Sequence, residues 1–186
     1  MSEQDRVRWD ECYLNQAPPD VSAVRRPQVF APFEAEFPAE GRALDIACGL
    51  GAASVWLARR GLDVWGVDIS RKAIDHAREL ANRVGVGKRC RFVVVDLDDG
   101  LPVGPPVDVV LCNRFRDSRL YAPIIDRLAP GGLLAISVLS SVGVKPGRFQ
   151  AAPGELTTAF AQLEVIAAGE GDGEAWLMAR KPNHEL

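Results

Sequence analysis

Ala43-Leu44-Asp45-Ile46-Ala47-Cys48-Gly49-Leu50-Gly51 begins as an apolar run and breaks into a glycine turn. A short apolar run bounded by glycine marks a buried strand, and the turn leads into Ala52 to Arg60, which reads as a helix ended by Gly61. The next run, Leu62-Asp63-Val64-Trp65-Gly66-Val67-Asp68, reads as a second strand that ends in a carboxylate 17 residues after Gly51. Strand, glycine turn, helix and strand-end acid together describe a pocket for a nucleoside cofactor. Gly49 and Gly51 let backbone approach a ligand, the free helix amides face an anion, and Asp68 is placed to accept hydrogen bonds from two ribose hydroxyls.

Outward from that stretch, Ser70 caps a helix whose apolar positions Ala73, Ile74, Ala77, Leu80, Ala81 and Val84 recur at the spacing of one buried face. Arg91 to Val95 and Val107 to Cys112 read as strands three and four. A helix around Tyr121 to Leu128 stops at Pro130-Gly131-Gly132, and Leu133 to Leu139 reads as a central strand buried on both faces. A short helix over 154–162 precedes two last runs, 163–168 and 174–180. Only five residues separate them, so they pair as an antiparallel hairpin, because a parallel crossover needs a dozen or more. The fold class is α/β: a Rossmann-like, seven-stranded, mostly parallel sheet closed by a C-terminal antiparallel hairpin. Asp45, Asp68 and Asp96 then share the carboxyl edge of one sheet, Asp96 with Leu97 being suited to the adenine amino group and ring face. Read as plain structure, Asp96 caps a helix and Asp45 serves the loop.

Composition sets the scale. With 186 residues, 47% of them apolar and 25% charged, the chain supports one substantial core. Residues 1–37, which mix charges with Trp9, Tyr13, Phe30, Phe33 and Phe37 around Pro18-Pro19, read as a helical cap of one or two short helices on a main domain of residues 38–186. A formal charge of −3 offers no general attraction to phosphate backbones, so nucleic acid is not expected as a partner. No window approaches a membrane span and the start lacks a secretory apolar core, which gives the expectation of a cytoplasmic protein. The four cysteines, at 12, 48, 90 and 112, form no Cys-x-x-Cys pair, and no metal site is expected.

The run Leu44 to Gly51 resembles motif I of class I S-adenosylmethionine-dependent methyltransferases, with Ala47 where the family often has its first glycine. Asp68 matches the acidic position of motif II, and Pro130-Gly131-Gly132 resembles the turn before strand five. Within the superfamily the chain resembles the TehB-like and thiopurine-methyltransferase-like branch, through Trp9-Asp10-Glu11-Cys12-Tyr13, Asp96-Leu97-Asp98, Arg114-Phe115 with Arg119-Leu120, and Pro153-Gly154-Glu155-Leu156. The resemblance implies S-adenosyl-L-methionine as cofactor. Its expected contacts are Asp45, Ala47, Gly49, Gly51, Asp68, Ile69, Asp96, Leu97 and Asn113, with Trp9 and Tyr13 either closing over it or acting as packing anchors.

Methyl transfer from a sulfonium is an in-line displacement that mainly requires the nucleophile to be held close in a partly dry site. Of the two histidines, His76 lies in mid-helix and His184 in the tail, so neither is placed as a base. Small acceptors that need no base, a thiol or a chalcogen oxyanion, fit best. The segment after strand four supplies Arg114, Arg116 and Arg119 as an anion clamp with Phe115 as a wall; read as plain structure, it is a solvated loop with Asp117 pairing one arginine. Base-directed DNA methylation would call for an Asn/Asp-Pro-Pro-aromatic run where Asn113-Arg114-Phe115-Arg116 stands. Two rivals remain: a non-catalytic protein that binds S-adenosylmethionine or its product, and a nicotinamide oxidoreductase, whose fingerprint would place glycine or alanine at Ser54.

Overall fold

The structure is a computed structural model and describes residues 3–14, 16–145 and 150–183. Twelve elements carry the fold: α1 (Glu3–Leu14), β1 (Arg42–Ile46), α2 (Ala52–Arg60), β2 (Asp63–Asp68), α3 (Arg71–Val84), β3 (Cys90–Val94), β4 (Val107–Asn113), α4 (Tyr121–Arg127), β5 (Leu128–Leu139), α5 (Glu155–Ala159), β6 (Glu164–Gly171) and β7 (Glu174–Arg180). Short 3-10 turns fill residues 21–23 and 28–36, where Pro27 and Pro32 deny the chain a regular helix.

The strands form one sheet in the order β3-β2-β1-β4-β5-β7-β6. Every pairing from β3 to β5 is parallel; β7 runs antiparallel between β5 and β6. The strand order reverses between β1 and β4, and in open α/β sheets such a switch point leaves a crevice above the carboxyl ends. Strand alternation sends Leu44, Ile46, Val110, Cys112, Leu134 and Ile136 to one face, packed with Ile124 and Ile125 of α4 and with Phe160. Ala43, Val109, Leu111, Leu133 and Ala135 go to the other, packed with Leu57, Ala58, Phe30 and Phe37. Because both faces are covered, the central strands read as unbroken apolar runs.

Capping follows the residues that the sequence offers. Ser70 accepts the Ala73 amide at 3.1 Å to start α3, and Gly61 ends α2 in the left-handed conformation. Three boundaries differ from the sequence reading. Pro130-Gly131-Gly132 does not precede β5 but forms an excursion within it: Val107 pairs with Leu128 and Val109 with Leu133, and the excursion is pinned by reciprocal backbone bonds between Lys181 and Gly131 and Gly132, at 2.8 and 2.9 Å. The hairpin loop is two residues, not five. Gly171 pairs with Glu174, leaving Asp172 and Gly173, both at positive φ, as the tight Asp-Gly turn that matches strand twist. Helix α5 is also shorter than expected, ending where Phe160 turns into the core at 0% exposure. Among the described residues no helix is long and apolar enough to cross a membrane.

Candidate functional site

The turn after β1 is fastened to the end of β2. Cys48 donates its amide to the Val67 carbonyl at 3.0 Å, and Gly49 donates to Oδ2 of Asp68 at 2.9 Å. Oδ1 of Asp68 accepts the Ser70 amide at 2.9 Å. Asp68 is buried, and burial raises its pKa from the ordinary carboxylate value, with the amides of Ser70 and Gly49 working in the opposite direction. Each carboxylate oxygen keeps a second lone-pair direction, so the expected ribose contact remains chemically open.

The turn itself departs from a glycine-only design. Ala47 has φ 54°, a left-handed conformation that costs an L-residue roughly 1–2 kcal/mol. Gly51, at φ 80°, answers a different need: a Cβ there would lie 2.6 Å from Ala77 Cβ. Its missing side chain lets the start of α2 pack against α3. Asp45 is 2% exposed and accepts the Ser54 hydroxyl at 2.5 Å, tying β1 to α2. Burial raises its pKa to about 7, a shift only partly opposed by the Ser54 hydrogen bond.

Helix α1 lies across this region. Oδ1 of Asp10 accepts the Ser70 hydroxyl at 2.5 Å and the Lys72 amide at 3.4 Å, docking α1 on the amino end of α3. The hydroxyl of Tyr13 stands 3.2 Å from the point a Gly49 Cβ would occupy, and its pKa is pushed up by burial and then by Asp68. Trp9, 40% exposed, stacks on Tyr13 with ring centroids 5.9 Å apart.

At the third strand end Asp96 accepts the Asp98 amide at 3.0 Å and caps a 3-10 turn, the structural role weighed for it from sequence. Leu97 and Ile69 are 1% and 3% exposed; Leu97 is packed into the core, because the chain turns there to cover Ile46 and Val67 rather than to face the edge. At the end of β4, Asn113 accepts the Ser137 hydroxyl at 2.9 Å. Arg114, at φ 58°, donates its amide to the Ser137 carbonyl at 2.8 Å. Residues held at positive φ without being glycine concentrate at functional sites, and Ala47 and Arg114 both lie just past the paired ends of β1 and β4, at the switch point.

A cleft of about 510 Å³ opens between them, of the size that ligand pockets take. Asp45, Ala47, Cys48, Leu50, Asn113 and Arg114 line it, as do Arg25, Arg26 and Glu174, which sequence reasoning did not single out. The two arginines carry no motif, and the placement of Glu174 depends on β7 inserting beside β5. The three-arginine clamp does not assemble. Arg116 forms a two-point pair with Glu155 at 2.7 and 2.8 Å, and Arg119 pairs with Asp117 and Asp98. Carboxylates nearby in the fold claim both, and only Arg114 reaches the cleft. Phe115 packs on the core beside them. His76 is 5% exposed in α3, away from the cleft lining; His184 lies outside the described residues.

Comparison with known proteins agrees with the geometry. Residues 43–132 match the family model of a methyltransferase domain. The ribosomal RNA small subunit methyltransferase C of Alcanivorax borkumensis is 36% identical over 104 residues, covering 50% of this chain and 31% of that protein. The chain spans less than half the length of the curated relatives it matches. Among solved structures, TehB from Haemophilus influenzae superposes with a TM-score of 0.70 at 18% identity, over 95% of this chain and 66% of the other. The [4+2]-cyclase SpnF superposes with a TM-score of 0.75 at 18% identity, over 99% and 97%.

Proposed function

Residues 43–132 belong to the class I S-adenosylmethionine-dependent methyltransferases, and from that premise we propose that the chain binds S-adenosylmethionine and passes its methyl group to a small nucleophile. The observation that carries the reading is the continuity of the cleft: it runs from the glycine turn, where Asp45 and Leu50 lie, to Arg114 and Glu174 beyond β4. Asp68, Gly49, Tyr13 and Asp96 are not among its lining, so in this reading the cleft takes the methionyl end and the acceptor while the adenosine end lies beside it.

In this reading Asp68 accepts the ribose hydroxyls, Gly49 and the start of α2 receive the amino-acid end, and Tyr13 closes the adenosine side. Asp96 serves the adenine end, with Leu97, Ile69 and Gly51 acting through packing. Arg26 is paired with Glu34, but Arg25 and Arg114 also line the cleft, with Glu174 as the opposing charge, and these two arginines support a small anionic acceptor such as a thiolate or chalcogen oxyanion. For such a nucleophile the chain's work is positioning: holding it in line with the methyl carbon and limiting water. Residues 1–37 act as a cap on the binding domain of 38–186. Similarity to TehB in fold supports the branch named from sequence, and the net charge of −3 favours a small molecule over ribosomal RNA despite the RNA-modifying relative. A cytoplasmic setting belongs to the same proposal.

A second reading keeps the binding and drops the transfer. It is supported by Arg116 and Arg119 being held by carboxylates, and by a fold neighbour described as a cyclase, since one fold hosts several chemistries. Calorimetric titration with S-adenosylhomocysteine, then product release from S-adenosylmethionine over a panel of thiols, selenite, tellurite, phenols and carboxylates, tests both. Binding with turnover of a small anion is expected. Binding without turnover selects the second reading, and stabilisation by NADH alone overturns both.

A further inference from the structure

Asp45 poses a problem that its hydrogen bond does not solve. Its carboxyl group is 2% exposed, its one side-chain partner is the neutral hydroxyl of Ser54, and among the described residues no cation stands within ion-pair distance of it. An ionised carboxylate so placed is costly unless a positive charge joins it. Yet Asp45 is not sealed in the core, because it lines the 510 Å³ cleft.

The groups around it sharpen the point. Asp68 on β2 disfavours its charge. Cys48 in the turn, Cys90 on β3 and Cys112 on β4, the first two half-buried and the last buried, are held neutral by desolvation first and by the Asp45 charge second. Arg25, Arg26, Arg114 and Glu174 line the same cleft, but none of them is among the charges that act on Asp45, and Arg26 is paired with Glu34 at 3.1 Å. The balance keeps a proton on Asp45 near neutrality, in agreement with a pKa of about 7.

We propose that Asp45 is a proton-exchanging counter-charge, neutral while no cation is near and ionised when a ligand ammonium group enters the cleft, so that binding expels a proton into solvent. The proposal rests on the cofactor reading above and adds to it a pH dependence and a preference for ligands with a positively charged amino-acid end. The step balances: the Asp45 O–H bond breaks, its electron pair stays as the carboxylate charge that faces the ammonium, and buffer takes the proton.

The test uses two probes that share adenosine. S-Adenosylhomocysteine carries the ammonium; 5′-methylthioadenosine lacks the amino-acid end altogether. Titration calorimetry in buffers of different ionisation enthalpy should show about half a proton released per S-adenosylhomocysteine near pH 7, and an affinity about tenfold higher on the alkaline plateau than one unit below the carboxyl pKa. Methylthioadenosine should bind with no proton release and no pH slope. Asp45→Asn, which keeps an acceptor for Ser54, should abolish the proton release for S-adenosylhomocysteine. Equal slopes for the two probes, or proton release that survives in Asp45→Asn, would overturn the proposal; the probe comparison in the unaltered protein decides it even where the variant does not fold. Failure of both probes to bind instead refutes the cofactor reading itself.

Discussion

The amide of Gly49 donates to the Asp68 carboxylate at 2.9 Å, so the acid that ends β2 is also the peg on which the turn after β1 hangs. A residue read from sequence as a ribose acceptor therefore has two duties. Asp68→Ala would leave the Gly49 and Ser70 amides without their acceptor and remove the ribose contact. Expected losses are about 1–3 kcal/mol in folding stability and about 1–3 kcal/mol in affinity for S-adenosylhomocysteine. Denaturant melts and calorimetry report them separately, and unchanged affinity would remove Asp68 from the site.

Ala47 holds a left-handed backbone that glycine adopts without strain. Ala47→Gly relieves roughly 1–2 kcal/mol and forfeits about 0.5–1 through the looser unfolded chain. A net gain of about 0.5–1 kcal/mol follows, visible as a Tm rise of roughly 1–4 °C. Ala47→Val, β-branched at the same φ, should instead destabilise by about 1 kcal/mol or more. A drop in Tm for Ala47→Gly would show that the alanine methyl makes contacts worth more than the strain.

Local signals carried much of this fold, and global ones did not. The glycine turn, the Ser70 cap and the apolar strands are written in residues that act on their neighbours, and each stands where sequence places it. Pro130-Gly131-Gly132 announces a turn locally, but its place inside β5 is fixed by Lys181, some fifty positions away. The same holds at the site. Strand-end acids follow from strand ends, whereas the fate of Arg116 and Arg119 depends on which carboxylates the fold brings near, and Glu174 reaches the cleft only through the antiparallel insertion of β7.

Arg116 and Glu155, with the Tyr121 hydroxyl on the same carboxylate at 2.7 Å, make a structural clasp between the β4 loop and α5. The Arg116 hydrogen bonds pull the Glu155 pKa down to about 2. A lowered folded-state pKa means that the contribution is full above the ordinary value of 4.5 and disappears as pH falls through about 2. Glu155→Gln should therefore narrow the stability gap between neutral and acid conditions. Arg116→Ala and Glu155→Ala should each cost about 1–3 kcal/mol, with the double variant costing less than their sum. Affinity for S-adenosylhomocysteine should hold in all of them, since neither residue lines the cleft. A large affinity loss in Arg116→Ala alone would restore that arginine to the binding site.

Asp45 makes the cofactor-free protein sensitive in the opposite direction. Its folded-state pKa is raised to about 7 from 3.8, so between those values the unfolded chain binds fewer protons and stability falls as pH rises. Asp68, raised for the same first reason of burial, acts with it. The Tm should decline from mildly acid to mildly alkaline conditions, and Asp45→Asn should flatten most of the slope. A Tm independent of pH in this window would mean that Asp45 is already ionised in the free protein.

Asp10 docks α1 beside the glycine turn. It is the residue through which α1 grips the amino end of α3, and Tyr13, one turn on, stands against Gly49. Tyr13 lies close enough to Asp68 to feel its charge, so opening of α1 is expected to admit a ligand ribose to that carboxylate. Removing a capping carboxylate costs about 1 kcal/mol, which makes local opening of α1 roughly fivefold more frequent. Asp10→Ala should then speed association and dissociation of S-adenosylhomocysteine together, leave Kd within about twofold, and weaken hydrogen-exchange protection in α1 while sparing β1. Asp10→Asn, which retains an acceptor for the Ser70 hydroxyl, should stay near the unaltered protein. If Asp10→Ala loosens α1 by exchange while both rates stay fixed, the cofactor enters by another route and α1 is a packing element only.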